Sequence, residues 1–219
     1  RWTDSTNTGG SSFEIHVEHA ATAITDGQCD VVVISYAQTP KSTFKRGAGR
    51  FLGGLPQAGA DLDAAPRIEW EIPYGLHLPV GAYALAASRH MAQYGTTSEQ
   101  LAQIAVSTRE WATKNPRASL RDPITIDDVL SSPMTTSPLH KLDCCLVTDG
   151  AGAFVLTSAE RAKDLRQRPA YVLGAGTGHS HGMISQMPDL TVTAGAISGR
   201  QAFAMAGISP SDVDVAELY

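Results

Sequence analysis

Residues 30–36 read Asp-Val-Val-Val-Ile-Ser-Tyr, a short unbroken run of β-branched side chains. Such a run is the pattern of a strand buried on both faces, in a sheet with helices above and below it. The residues before it carry a different period. Phe13, Val17, Ala20, Ala21 and Ile24 recur at i, i+4, i+7, i+8 and i+11, one face of a helix, and Gly27 stops it. Ser11 with Glu14 three residues on predicts a capping box at the start of that helix. A helix followed by a buried strand is α/β grammar.

The grammar returns further along. Residues 38–73 are irregular and rich in Gly and Pro, which predicts a long excursion. Helices are expected over 80–94, closed by Gly95, and from Thr97 or Ser98 to Asn115-Pro116, with a short turn capped by Thr125. Residues 142–156 predict a strand whose glycines, in Asp149-Gly-Ala-Gly-Ala, let another backbone approach closely. Ser158 caps an expected helix to Leu165. After a polar break come a strand over 170–174, a helix over 193–207, a cap at Ser209-Pro210 and a strand over 213–219.

The 219 residues are 42% hydrophobic and only 18% charged, which fits a folded, loop-rich chain and argues against a disordered one. Net charge is −5, with no basic stripe for a phosphate backbone, so nucleic acid is not an expected partner. No apolar run reaches the ~20 residues of a membrane-spanning helix. Three cysteines without C-x-x-C spacing indicate neither a disulfide framework nor a zinc site, and a cytoplasmic setting is expected. Cys29, Cys144 and Cys145 read as small hydrophobes beside strands. His179 and His181 read as loop residues, and His77, His90 and His140 as packing or surface residues, so no metal site is expected. Gly174, Gly176 and Gly178 imitate a dinucleotide fingerprint, but no helix opens there and no acidic residue follows at the required distance. Lys41, Lys45, Arg46 and Arg50 read as surface loop charges, with coenzyme A phosphate contact or a subunit interface as the alternative.

The order of glycine turn, helix, buried strand, long excursion, NPRA (115–118), PLHKLDCCLVTDGAGAFVLTSAERA (138–162) and a closing DVAELY (214–219) resembles the thiolase superfamily. The likeness is nearest to the sterol-carrier-protein-X-type thiolases and the thiolase-like lipid-transfer proteins of actinobacterial steroid breakdown. It implies a layered α/β/α/β/α fold with an inserted loop domain, incomplete at both ends of this chain. Residues 1–37 and 145–165 would belong to the first half, 38–144 to the loop domain and 170–219 to the start of the second half. Because the chain opens on Arg1 and stops at Tyr219 inside an expected strand, it reads as an internal fragment.

The departures from the family carry the functional expectation. Degradative thiolases hold a nucleophilic cysteine at the N-terminus of the central helix, where the dipole and unpaired amides favour a thiolate. Laid on that pattern with Gly27 and Asp30 in register, this chain has Gly10 there. A shift of a residue or two offers Ser11 or Ser12, which read mainly as helix caps and only secondarily as nucleophiles, since a serine needs a general base and His16 and His19 point away. Gly9, Gly10 and Ser11 would instead form an oxyanion site at the helix start. At the slot where thiolases carry Asn or His, this chain has Tyr219, and the thiolase-like aldolases have a tyrosine proposed as an acid/base residue.

The resemblance therefore implies an acyl-CoA enzyme, an aldolase making a retro-aldol cleavage of a β-hydroxyacyl-CoA with a steroid or other bulky side chain. An acyltransferase with a non-cysteine nucleophile and a non-catalytic acyl-CoA-binding subunit stay open. No cofactor is expected beyond the coenzyme A thioester of the substrate. A homodimer and a small OB-fold, zinc-ribbon acyl-CoA-binding partner are implied by the family alone.

Overall fold

The computed structural model describes residues 2–45, 69–76 and 79–218, with side chains of 43–45 excepted. His77, Arg46, Arg50, the Lys45 side chain and Tyr219 lie outside the described residues. In chain order the elements are α1 (Ser12–Thr25), β1 (Val31–Gln38), α2 (Pro40–Lys45), α3 (Pro79–Tyr94), α4 (Ser98–Lys114) and α5 (Ile126–Ser131), then β2 (Met134–Thr136), β3 (Leu139–His140), β4 (Gly150–Thr157), α6 (Ala159–Ala162) and α7 (Gly195–Ala206). Two compact units form, one from 1–39, 149–180 and 193–219, the other from 40–148 and 181–192.

In the first unit β1 and β4 pair antiparallel, from Val31 opposite Thr157 to Gln38 opposite Gly150. The Thr157 hydroxyl donates to the Asp30 carbonyl at 2.9 Å and fastens the end of the ladder. α1 lies on one face, and its Ala20, fully buried, lets the helix sit close above Val32 and Ile34. Trp2, Val17, Ile24, Cys29 and Leu156 close the edge of this core. Each buried aliphatic side chain contributes about 1.5–3 kcal/mol. The run 31–34 is therefore buried on one face only among the described residues: Val32 and Ile34 point to α1, while Val33 remains 63% exposed. One helix covers one side of the pleat, and alternate side chains point away from it.

Gly174, Gly176 and Gly178 have a packing role. A Cβ on Gly174 would stand 2.3 Å from the Ala202 carbonyl oxygen, one on Gly176 2.3 Å from that of Ser198, and one on Gly178 3.0 Å from that of Ala194. Alternate residues of the segment thus meet every fourth residue of the helical turn sequence running through α7. The spacings match, since two extended residues and four helical ones each advance about 6–7 Å. Residues 170–174, which lead into this contact at Gly174, join no strand ladder among the described residues, and 213–218 likewise form none. By contrast a Cβ on Gly150 or Gly152 would meet nothing within 4 Å, so the close approach expected there occurs at the later glycines. The strand expected from residue 142 begins only at Gly150, after a 3-10 turn at Lys141–Asp143. The helix after Ser158 closes at Ala162, and tighter bonds from the Asp164 amide to the Arg161 carbonyl and from Leu165 to Ala162 finish the turn.

The second unit is mainly helical. Capping boxes start two of its helices: Thr97 exchanges bonds with Gln100 at the head of α4, and Thr125 with Asp128 at the head of α5. Ala84, Ala102 and Val129 are buried, and β2 and β3 form a small antiparallel ladder around a cis Ser137–Pro138 bond. Glu71 is buried and accepts the Ser185 amide at 3.0 Å. Among the described residues no helix is long and apolar enough to cross a membrane.

Candidate active site

The start of α1 is built by a glycine turn. Gly9 has φ +83°, a left-handed conformation that favours glycine, and it bends the chain into the helix. Gly10 and Ser11 follow, both exposed, as is Gly9. Among the described residues, the amides of Gly10, Ser11, Phe13 and Glu14 have no hydrogen-bond acceptor, whereas Ser12 donates its amide to the Gly9 carbonyl at 3.2 Å. These unpaired donors, at the positive end of a 14-residue helix, form a place suited to negative charge. Glu14 puts one carboxylate in the same turn.

The two serines differ. Ser11 occupies the cap position, yet its side chain makes no capping bond and the box with Glu14 does not form. Its φ of −81° and ψ of 5° are near-helical, whereas a capping hydroxyl is aimed by an extended backbone. Ser12 is 5% exposed, and its hydroxyl donates to the Gly9 carbonyl at 2.6 Å while accepting the Thr8 amide at 2.9 Å. Among the described residues, neither histidine makes a hydrogen bond to a serine side chain. His16 accepts the Thr6 amide through Nε2 at 3.2 Å, and His19 Nδ1 pairs with Asp4, whose carboxyl is held below the usual carboxylate range first by that hydrogen bond.

Other groups singled out in the sequence lie elsewhere. Thr177, in the loop with His179, donates its hydroxyl to the Glu18 carboxylate on α1. In the second unit the Asp143 carboxylate accepts the His140 amide at 2.7 Å, and Cys144 Sγ donates to the His140 carbonyl at 3.4 Å, while Cys145 is exposed. Among the described residues no group of three or more His, Cys, Asp or Glu stands together as a metal site would require. A hollow of about 860 Å³ adjoins the opposite end of α1, between Ile24, Leu165, Arg166, Arg168 and Tyr171. What the sequence reading missed is the grip of the histidines on the segment before α1. The spacing of Ser12, His16 and His19 at i, i+4 and i+7 was its only visible signal.

Comparison with known proteins places this chain in a family. A steroid side-chain-cleaving aldolase of Thermomonospora curvata is 37% identical over 217 residues, 96% of this chain and 54% of that protein. The 17-hydroxy-3-oxo-4-pregnene-20-carboxyl-CoA lyase of Mycobacterium tuberculosis is 37% identical over 219 residues, with 96% and 55% covered. The solved structure of an Ltp2-ChsH2(DUF35) aldolase superposes with a TM-score of 0.80 at 34% identity, over 94% of this chain and 52% of that one. The chain belongs to the thiolase superfamily, in its SCP2-thiolase-like branch. Within it, residues 176–219 match the thiolase C-terminal domain-like family. This thiolase-like chain has the expected α/β fold and spans about half the length of the curated relatives it matches.

Proposed function

We propose that the full-length protein is an aldolase that cleaves a β-hydroxyacyl-CoA by a retro-aldol reaction, with a steroid or similarly bulky side chain as the leaving carbonyl fragment. The observation that carries this reading is the α1 start: exposed, unpaired amides at Gly10 and Ser11 with glycine in place of a nucleophilic thiol. The two aldolase and lyase relatives support it.

The chemistry asks little else of the scaffold. A base takes the proton of the β-hydroxyl, the Cα–Cβ bond breaks, and its electron pair moves into the thioester, giving an enolate and a free ketone or aldehyde. The Gly10 and Ser11 amides, presented by the Gly9 turn, hold the enolate oxygen, and an acid then delivers a proton to Cα. Tyr219, outside the described residues, is our candidate for the acid/base role. No covalent acyl-enzyme forms, and no cofactor is needed beyond the thioester. The committed hydroxyl of Ser12 disfavours it as a nucleophile. A DUF35-type acyl-CoA-binding partner is supported by the assembly named in the aldolase structure. A homodimer and a cytoplasmic location complete the proposal.

The full-length protein, with its partner, should release a ketone or aldehyde from a β-hydroxyacyl-CoA, detected by mass spectrometry. Tyr219→Phe should lower turnover by ~10²–10⁴-fold. Capture of an acyl group on a serine would replace this reading with acyl transfer, and a complete lack of turnover would favour a binding subunit.

A further inference from the structure

The residues before α1 are strapped to it by a stripe of three side chains. Ser12, His16 and His19, at i, i+4 and i+7, lie on one face of the helix. Each holds one of three alternate residues, in reverse order. Thr8 donates its amide to Ser12 Oγ at 2.9 Å, Thr6 donates its amide to His16 Nε2 at 3.2 Å, and Asp4 pairs with His19. The strap so formed leads straight into Gly9, whose amide is steadied by Asn7 Oδ1 at 3.3 Å.

The middle fastening is chemically selective. An imidazole nitrogen accepts an N–H only while its lone pair is free, and an imidazolium donates from both nitrogens. Protonated His16 would therefore set N–H against the Thr6 N–H. The outer fastening has the opposite sense, because protonation of His19 strengthens its pair with the Asp4 carboxylate. From the strap, the Asp4 carboxylate lines the same hollow as His16. On α1 itself, Phe13 meets the His16 ring edge-on at 6.2 Å. From β1, residues Val31–Ser35 line the hollow of about 330 Å³ beside His16, and none of them titrates.

We propose that His16 is a positioning residue: unprotonated at Nε2, it holds Thr6, and through the strap the Gly9–Gly10 turn, so that the α1 amides address the thioester oxygen. Its protonation releases that turn. This rests on the reading of the α1 start given under the proposed function.

The test uses full-length wild type, His16→Ala and His16→Gln, because a glutamine Oε1 reaches about as far as Nε2 and accepts without titrating. Amide hydrogen exchange of residues 4–12 should rise by about fivefold in His16→Ala, the loss of one hydrogen bond. It should stay within about twofold of wild type in His16→Gln. On acidification, protection relative to intrinsic exchange should fall in wild type and hold in His16→Gln. In retro-aldol assays, His16→Ala should lower kcat by about tenfold or more with KM within about twofold. Equal exchange in all three proteins, glutamine behaving as alanine does, or an unchanged kcat in a loosened His16→Ala protein would each overturn the positioning role. A strap that loosens as expected in a protein whose wild type turns over no β-hydroxyacyl-CoA would instead overturn the proposed function.

Discussion

The Ser12 hydroxyl donates to the Gly9 carbonyl at 2.6 Å. The bond is short, part-buried and local, and it ties the first residue of α1 to the glycine that turns the chain into it. The same oxygen receives the Thr8 amide, so one hydroxyl serves both sides of the turn. Ser12 is thus a structural clasp beneath the exposed Gly10 and Ser11 amides.

Replacing that clasp should be felt as stability. Ser12→Ala removes the acceptor of the Thr8 amide and one of the two donors to the Gly9 carbonyl, whose bond from the residue 12 amide remains, and this costs about 1–2 kcal/mol. Denaturant unfolding of the full-length variant measures this. Ser11→Ala, which removes no capping bond, should stay within about 0.5 kcal/mol of wild type.

How far the sequence spoke depends on the range of the interaction. α1, α3 and α4 were legible to within a residue or two because their periods and caps are local, as the Thr97 box illustrates. β1 was legible as a strand but not as one with a single covered face, because burial depends on which element lies above it. The sequence points to a close approach at Asp149–Ala153, whereas it occurs at Gly174–Gly178, a series whose spacing suggests only a failed dinucleotide fingerprint. Nothing local distinguishes them, since the deciding partner is α7, some twenty residues downstream. The Ser11 cap failed on a backbone angle, and the histidine strap was hidden because its donors are backbone amides, which every residue owns. The reading of Gly10 at the nucleophile slot rests on the family pattern alone.

The glycine contact makes a graded prediction. Gly174→Ala and Gly176→Ala would each drive a methyl to 2.3 Å from a helix carbonyl, and each should destabilise by ~1–3 kcal/mol or more. Gly199→Ala, inside α7 with nothing within 4 Å of its new Cβ, should stabilise by about 0.5–1 kcal/mol. Thermal unfolding of the three variants orders them, and a neutral Gly176→Ala would contradict the contact.

Asp128 gives a pH prediction. The Thr125 amide and then its hydroxyl hold the Asp128 carboxyl below the usual carboxylate range. A depressed value in the folded state means stability that is present above the unfolded value of 3.8 and lost as pH falls through the lower folded one. A carbon-13 carboxyl titration by NMR should place the Asp128 midpoint below that reference. Thr125→Val should move it only part of the way back, because the amide, the larger cause, remains. In Asp128→Asn the acid-induced loss of protection at the head of α5 should disappear.

β1 carries the last prediction. Ile34 is 6% exposed against α1, and Ile34→Ala should cost about 2–5 kcal/mol. Val33 points to the opposite face, opposite Val155 on β4, and both are more than 60% exposed among the described residues. A solvated face would ordinarily carry polar residues in alternation, yet this one repeats β-branched and apolar side chains. In the full-length protein Val33→Ala should therefore cost more than about 1 kcal/mol, because a further layer covers that face. Urea unfolding of the two variants separates the cases: a Val33→Ala cost under about 0.5 kcal/mol would leave β1 a one-sided strand, as a solvent-facing substitution does.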